Sequence, residues 1–118
     1  MLLRLSVEER VPYVVVTATG DLDVSTAGTL ATAVSNAFSD GYAGVLVDLA
    51  GVSFVDSNGI TALLAGHRAA RRADGRFALV APSPQVRRVL ALHRLDRDLP
   101  AYASVALALA GPGDGTVG

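Results

Sequence analysis

Cysteine, lysine and tryptophan are all missing from this 118-residue chain, and each gap removes something. Without cysteine there is no disulfide, no thiolate metal site and no cysteine nucleophile. Without tryptophan, and with aromatics at only 5%, a core has to be built from Val, Leu and Ala. No apolar run approaches a membrane span, and Arg4, Glu8 and Glu9 interrupt any signal-peptide core. A soluble intracellular protein is expected. There is no G-x-x-x-x-G-K-S/T phosphate loop, no G-x-G-x-x-G fingerprint and no G-x-S-x-G elbow. His67 and His93 fall in different predicted helices, with no paired carboxylate at ligand spacing. Nucleotide hydrolysis, a Ser57–His triad and a metal site therefore have little support, and no cofactor is implied.

What is present is a hydrophobic fraction of 51%, enough for a core, in a chain of single-domain length. The net charge of −1 argues against a dedicated nucleic-acid binder. Its distribution is uneven. Residues 1–59 carry two arginines against seven acids, a net of −5, and residues 60–118 carry eight arginines against four acids, a net of +4. One acidic and one basic region suit a protein partner.

Apolar periodicity orders the elements. Leu3–Val7 and Tyr13–Thr19 read as a hairpin across Glu9-Arg10, with Gly20-Asp21 closing the second strand. Ser25 is the expected N-cap of a first helix, whose face is Ala27, Leu30, Val34, Ala37 and Phe38. Asp40-Gly41 ends it, with Gly41 left-handed. Val45–Leu49 is apolar throughout, as in an interior parallel strand. A second helix starts at Ser57 and stops at Asp74-Gly75. Phe77–Ala81 is a strand. Ser83-Pro84 opens a third helix with Val86, Val89 and Leu90 inward. Leu99–Tyr102 reads as an edge strand and Ser104–Ala110 as a last helix. The order is β-β-α-β-α-β-α-β-α, which implies βαβ units and a parallel core sheet. Residues 111–118 read as a disordered tail after a domain at 1–110.

In parallel βαβ units every strand-to-helix loop leaves the same sheet edge, where ligands of open α/β sheets bind. The loops holding Asp21, Asp23 and Ser25, then Asp56 and Ser57, then Ser83, are therefore expected together. Ser57 stands at a helix start, where unpaired N–H groups and a partial positive charge favour anions. Its hydroxyl can either cap the helix or carry a phosphate. Gly59, in the first helical turn, fits either a close partner approach or tight packing on the sheet.

Gly20-Asp21-Leu22-Asp23 before Ser25-Thr26-Ala27, then Val47-Asp48-Leu49 with Phe54-Val55-Asp56-Ser57-Asn58-Gly59-Ile60, then Leu79-Val80-Ala81-Pro82-Ser83-Pro84, together resemble the STAS domain. More narrowly, residues 3–110 resemble the bacterial anti-sigma-factor antagonists. The resemblance implies an α/β STAS fold: a small mixed sheet with βαβ units and helices packed mainly on one side. It implies a non-catalytic, cytoplasmic partner switch, a monomer or weak dimer that binds neither nucleic acid nor membrane. In such a switch the unphosphorylated antagonist binds an anti-sigma factor that is also a serine kinase, and so releases a sigma factor. The kinase phosphorylates the Ser after the motif Asp, and a Ser phosphatase reverses this. Carried onto this chain, the acceptor is Ser57. The partner-binding residues are Asp21, Asp23, Ser25, Asp56, Asn58, Gly59, Ile60 and Ser83. Asn58 stands where the family usually has Ser, Thr or Ala, and removes a second acceptor. Arg94 replaces a Gly that commonly ends the third helix, so a different helix exit is expected. The alternative is a STAS subunit of an ABC lipid transporter or a stress-sensing scaffold, in which Ser57 is only structural.

Overall fold

The computed structural model describes residues 2–111; apart from Gly111, the expected tail lies outside the described residues. Strands β1 (Arg4–Arg10) and β2 (Tyr13–Leu22) form the expected antiparallel hairpin, but the turn is not at Glu9-Arg10: both residues stay in β1, paired with Val14 and Tyr13, and the chain turns at Val11-Pro12. Strands β3 (Gly44–Val55), β4 (Arg76–Val80) and β5 (Ala101–Tyr102) follow in parallel to β2, in the spatial order β1-β2-β3-β4-β5. Helices α1 (Ala27–Ser39), α2 (Ser57–Arg72) and α3 (Pro84–Leu92) alternate with them, and α4 (Val105–Ala110) closes the order.

Alternating side chains send the two faces of the sheet into different packings. Val14, Val16, Val45, Val47 and Leu79 point toward Leu30 and Val34 of α1, Leu63 of α2 and Leu90 of α3. Val15, Leu46, Ala78 and Val80 point the other way, toward Ala108 of α4. Among the described residues, three helices thus cover one face and one short helix covers part of the other. That explains why the central strands read as unbroken apolar runs: both of their faces are buried. Each fully buried Leu or Val contributes about 1.5–3 kcal/mol relative to exposure.

Strand β3 runs to Val55 instead of ending at Leu49. The strand continues through Ala50-Gly51 by an irregularity in the ladder: Thr17 pairs with Asp48, and Thr19 with Gly51. The Asp48 carboxylate accepts the Ala50 N–H at 3.0 Å inside this irregular stretch. A second shift pairs Gly20 with Val52 and Asp21 with Phe54. The extra residue, Ser53, breaks the alternation, so Val52 and Val55 both point inward while Phe54 turns outward.

The helix ends follow local chemistry. Gly41 takes φ +96, and the Tyr42 N–H returns to the Ala37 carbonyl, as expected of a left-handed C′ residue. Helix α3 makes the same kind of exit without glycine. Arg94 adopts φ +57 and the Leu95 N–H returns to the Leu90 carbonyl, so the exit is kept despite the substitution.

Candidate functional site

The β2–α1 and β3–α2 loops meet at the carboxyl edge of the sheet, and Asp56 joins them. It is the N-cap of α2: its Oδ1 accepts the Asn58 N–H at 2.8 Å and the Gly59 N–H at 3.0 Å. Its Oδ2 accepts the Val24 N–H at 3.2 Å, 32 residues away in sequence. Its own N–H donates to the Leu22 carbonyl at 3.1 Å. One carboxylate therefore satisfies two orphan amides of the helix, offsets the positive helix end and holds the neighbouring loop.

With capping done by Asp56, Ser57 is left over. It is the first residue of α2 and exposed. Its carbonyl accepts the Thr61 hydroxyl at 2.9 Å, while its own hydroxyl enters no hydrogen bond among the described residues. Asn58 beside it is also exposed. Gly59 and Ile60 lie beneath this surface. Ile60 is in the main core, and a Cβ on Gly59 would come within 2.5 Å of the Leu22 carbonyl oxygen. Tight packing on the sheet therefore accounts for Gly59, and both residues shape the edge from below.

The first loop is built differently from the expectation. Ser25 is not the cap of α1; the N-cap position is Thr26, and it makes no side-chain cap bond. The Ser25 hydroxyl donates to Asp23 Oδ1 at 2.8 Å instead, and the Ser25 N–H reaches the same oxygen at 3.0 Å. Thr26 is buried; its hydroxyl donates to the Asp21 carbonyl at 2.7 Å and accepts the Asp23 N–H at 2.9 Å. Asx and ST turns of this kind compete with capping for the same side chains. The Ser25 hydroxyl is the main reason the Asp23 carboxyl titrates below its ordinary value of 3.8.

Ser83 belongs to the same edge but has structural partners. It caps α3 by accepting the Val86 N–H at 3.3 Å and donates to the Val52 carbonyl at 3.1 Å. The third loop is thereby tied to β3 rather than to Asp56.

Two exposed apolar side chains on this edge escape the sequence reading. Val24 is 73% exposed at the loop tip and Phe54 51% exposed opposite Asp21. A period-2 count would place Phe54 inside with Val52. Only the bulge at Ser53 turns it out, and no residue in the stretch announces that bulge.

A family model for the STAS domain matches residues 4–108. An anti-sigma factor antagonist from Mycobacterium paratuberculosis has a similar structure, with a TM-score of 0.82 and 30% identity over 92% of each chain. The unphosphorylated anti-sigma factor antagonist SpoIIAA gives a TM-score of 0.78 at 26% identity, covering 90% of this chain and 93% of that one. The phosphorylated form of the Bacillus cell fate determinant SpoIIAA gives 0.72 at 25% identity, covering 91% and 97%. None of the curated proteins matches the chain in sequence. With the family match running from the first strand into the last helix, over the fold described above, this chain belongs to the STAS domain family.

Proposed function

We propose that this chain is an anti-sigma-factor antagonist whose choice of partner is set by phosphorylation of Ser57. The general role is supported by the structural relatives, which are themselves anti-sigma factor antagonists. The observation that carries the switch is the exposed Ser57, whose hydroxyl makes no hydrogen bond among the described residues and which stands one residue past a cap that already serves the Asn58 and Gly59 amides.

The partner is a cytoplasmic serine kinase of the anti-sigma class. It docks on the edge formed by Val24, Phe54, Asp23, Asp56 and Asn58, with apolar anchors inside a polar rim. The kinase moves the γ-phosphoryl of ATP onto Ser57 Oγ: the new O–P bond forms, ADP leaves, and the hydroxyl proton passes to a base of the kinase. A phosphatase hydrolyses the ester. The chain itself contributes no catalysis and acts as monomer or weak dimer. Phosphorylation adds about −1.5 to −2 charges. The Asn58 and Gly59 amides already serve Asp56, so the dianion is not drawn back onto the helix. It projects outward beside a carboxylate and repels an acidic docking surface.

Incubation with the candidate kinase and ATP is expected to add about 80 Da to Ser57 peptides, the mass of one phosphoryl group. Ser57→Ala keeps kinase binding and Ser57→Asp loses it. A wild-type chain that takes no phosphate and co-purifies with a transporter ATPase would replace this reading with the transporter-subunit one.

A further inference from the structure

On the sheet face away from α1–α3, at the amino end of β4, Arg76 lies between two tyrosine rings. Its guanidinium carbon is 5.6 Å from the Tyr13 centroid and 5.2 Å from the Tyr102 centroid. Both terminal nitrogens are buried, and neither has a hydrogen-bond partner among the described residues. The surroundings hold the group in place. A Cβ on Gly44 would fall 2.7 Å from Tyr13 Cδ1 and 3.0 Å from the Arg76 carbonyl oxygen. Glycine at this register position lets the Tyr13 ring occupy the space over β3 and reach Arg76. The Tyr102 hydroxyl donates to the Gly111 carbonyl at 3.1 Å, which fixes the second ring.

A buried cation with unused donors is costly, and aromatic faces offset only part of that cost. A guanidinium presents a planar fork of N–H groups that matches two oxygens of a carboxylate or phosphate. We propose that Arg76, flanked by Tyr13 and Tyr102, is an oxyanion-binding site, separate from the Ser57 edge at the opposite end of the sheet. Arg76 and both tyrosines are half-buried, so a small ring movement at the surface admits the ion. The oxyanion has two sources, a free ion or the chain itself. Asp114 is the one acid in residues 112–118, outside the described residues, and follows closely on Gly111.

The test is titration of the full chain with inorganic phosphate at constant ionic strength, chloride being the balancing salt. The readouts are the Arg76 Nε–H resonance and tyrosine emission, which no tryptophan obscures and which comes from only three residues. A saturable change is expected in wild type and in Ser57→Ala, weakened about tenfold or more in Arg76→Gln. Arg76→Lys keeps the charge without the fork; it serves as the folded control and binds with intermediate strength. If saturation appears only in Asp114→Asn, the chain's own carboxylate is the occupant, and oxyanion recognition stands. No saturable response in either wild type or Asp114→Asn overturns the proposal, as does an equal response in Arg76→Gln.

Discussion

A methyl group at residue 59 would meet the Leu22 carbonyl oxygen at 2.5 Å and a Val55 methyl at 2.6 Å. The oxygen belongs to the backbone and cannot swing aside. Gly59→Ala is therefore expected to destabilise by about 1–3 kcal/mol through overpacking. Helix propensity alone argues the other way, by about 1 kcal/mol in favour of Ala. Urea denaturation decides between them: a stabilised variant would mean that the contact relaxes freely. At Asp23 the question is one of protons. Its pKa lies below 3.8 chiefly because the Ser25 hydroxyl favours the carboxylate. A depressed folded pKa gives stability that is present above the ordinary value and is lost as pH falls through the folded one. Ser25→Ala should move the Asp23 midpoint up toward 3.8, followed by carboxyl carbon chemical shifts; an unmoved midpoint would reassign the cause. Arg94 holds a left-handed conformation with a Cβ, a strain of about 1–2 kcal/mol. Arg94→Gly relieves it at some entropic cost, so a gain of up to about 1 kcal/mol in thermal unfolding is expected.

Elements show what a sequence can and cannot announce. The apolar runs of β2 and β3, the Gly41 exit and the Ser83-Pro84 start follow from local residue chemistry, and all are found in the structure. The start of α1 does not follow, because Asp23, Ser25 and Thr26 offer competing local hydrogen bonds and only the packed loop selects among them. The length of β3 is hidden for a related reason: its irregular pairings are set by the partner strand β2, not by β3's own residues. The edge that gathers Asp23, Asp56 and Ser57 was legible from topology. The division of labour between Asp56 and Ser57 was not, since either can cap. That division can be tested. Asp56→Ala removes the bonds to Asn58 and Gly59 and the link to Val24, and should cost about 1–2 kcal/mol. Asp56→Asn keeps an acceptor and should cost less. Amide exchange at Val24, Asn58 and Gly59 should quicken together in the Ala variant. Quickening at Asn58 and Gly59 alone would show that the link to the neighbouring loop is weak.

For the whole molecule, the charges and the helix end together predict how a phosphate on Ser57 acts. The amino-terminal half is acidic, and Asp23 and Asp56 already stand at the docking edge. A further dianion there is exposed to solvent and screened over about 8–10 Å, so the folded monomer should tolerate it, changing stability by about 1 kcal/mol or less. A docked partner removes that screening and adds the cost of taking a phosphate from water. The same group that barely disturbs folding should therefore weaken binding by about a hundredfold or more. The checks are thermal unfolding of the phosphorylated and unphosphorylated chains, and calorimetric titration of each with the kinase at low and high salt. The binding penalty should shrink as salt rises, while the two unfolding temperatures stay close. A penalty indifferent to salt, or a phosphorylated chain that unfolds much earlier, would mean that the switch works by distorting the edge and not by charge.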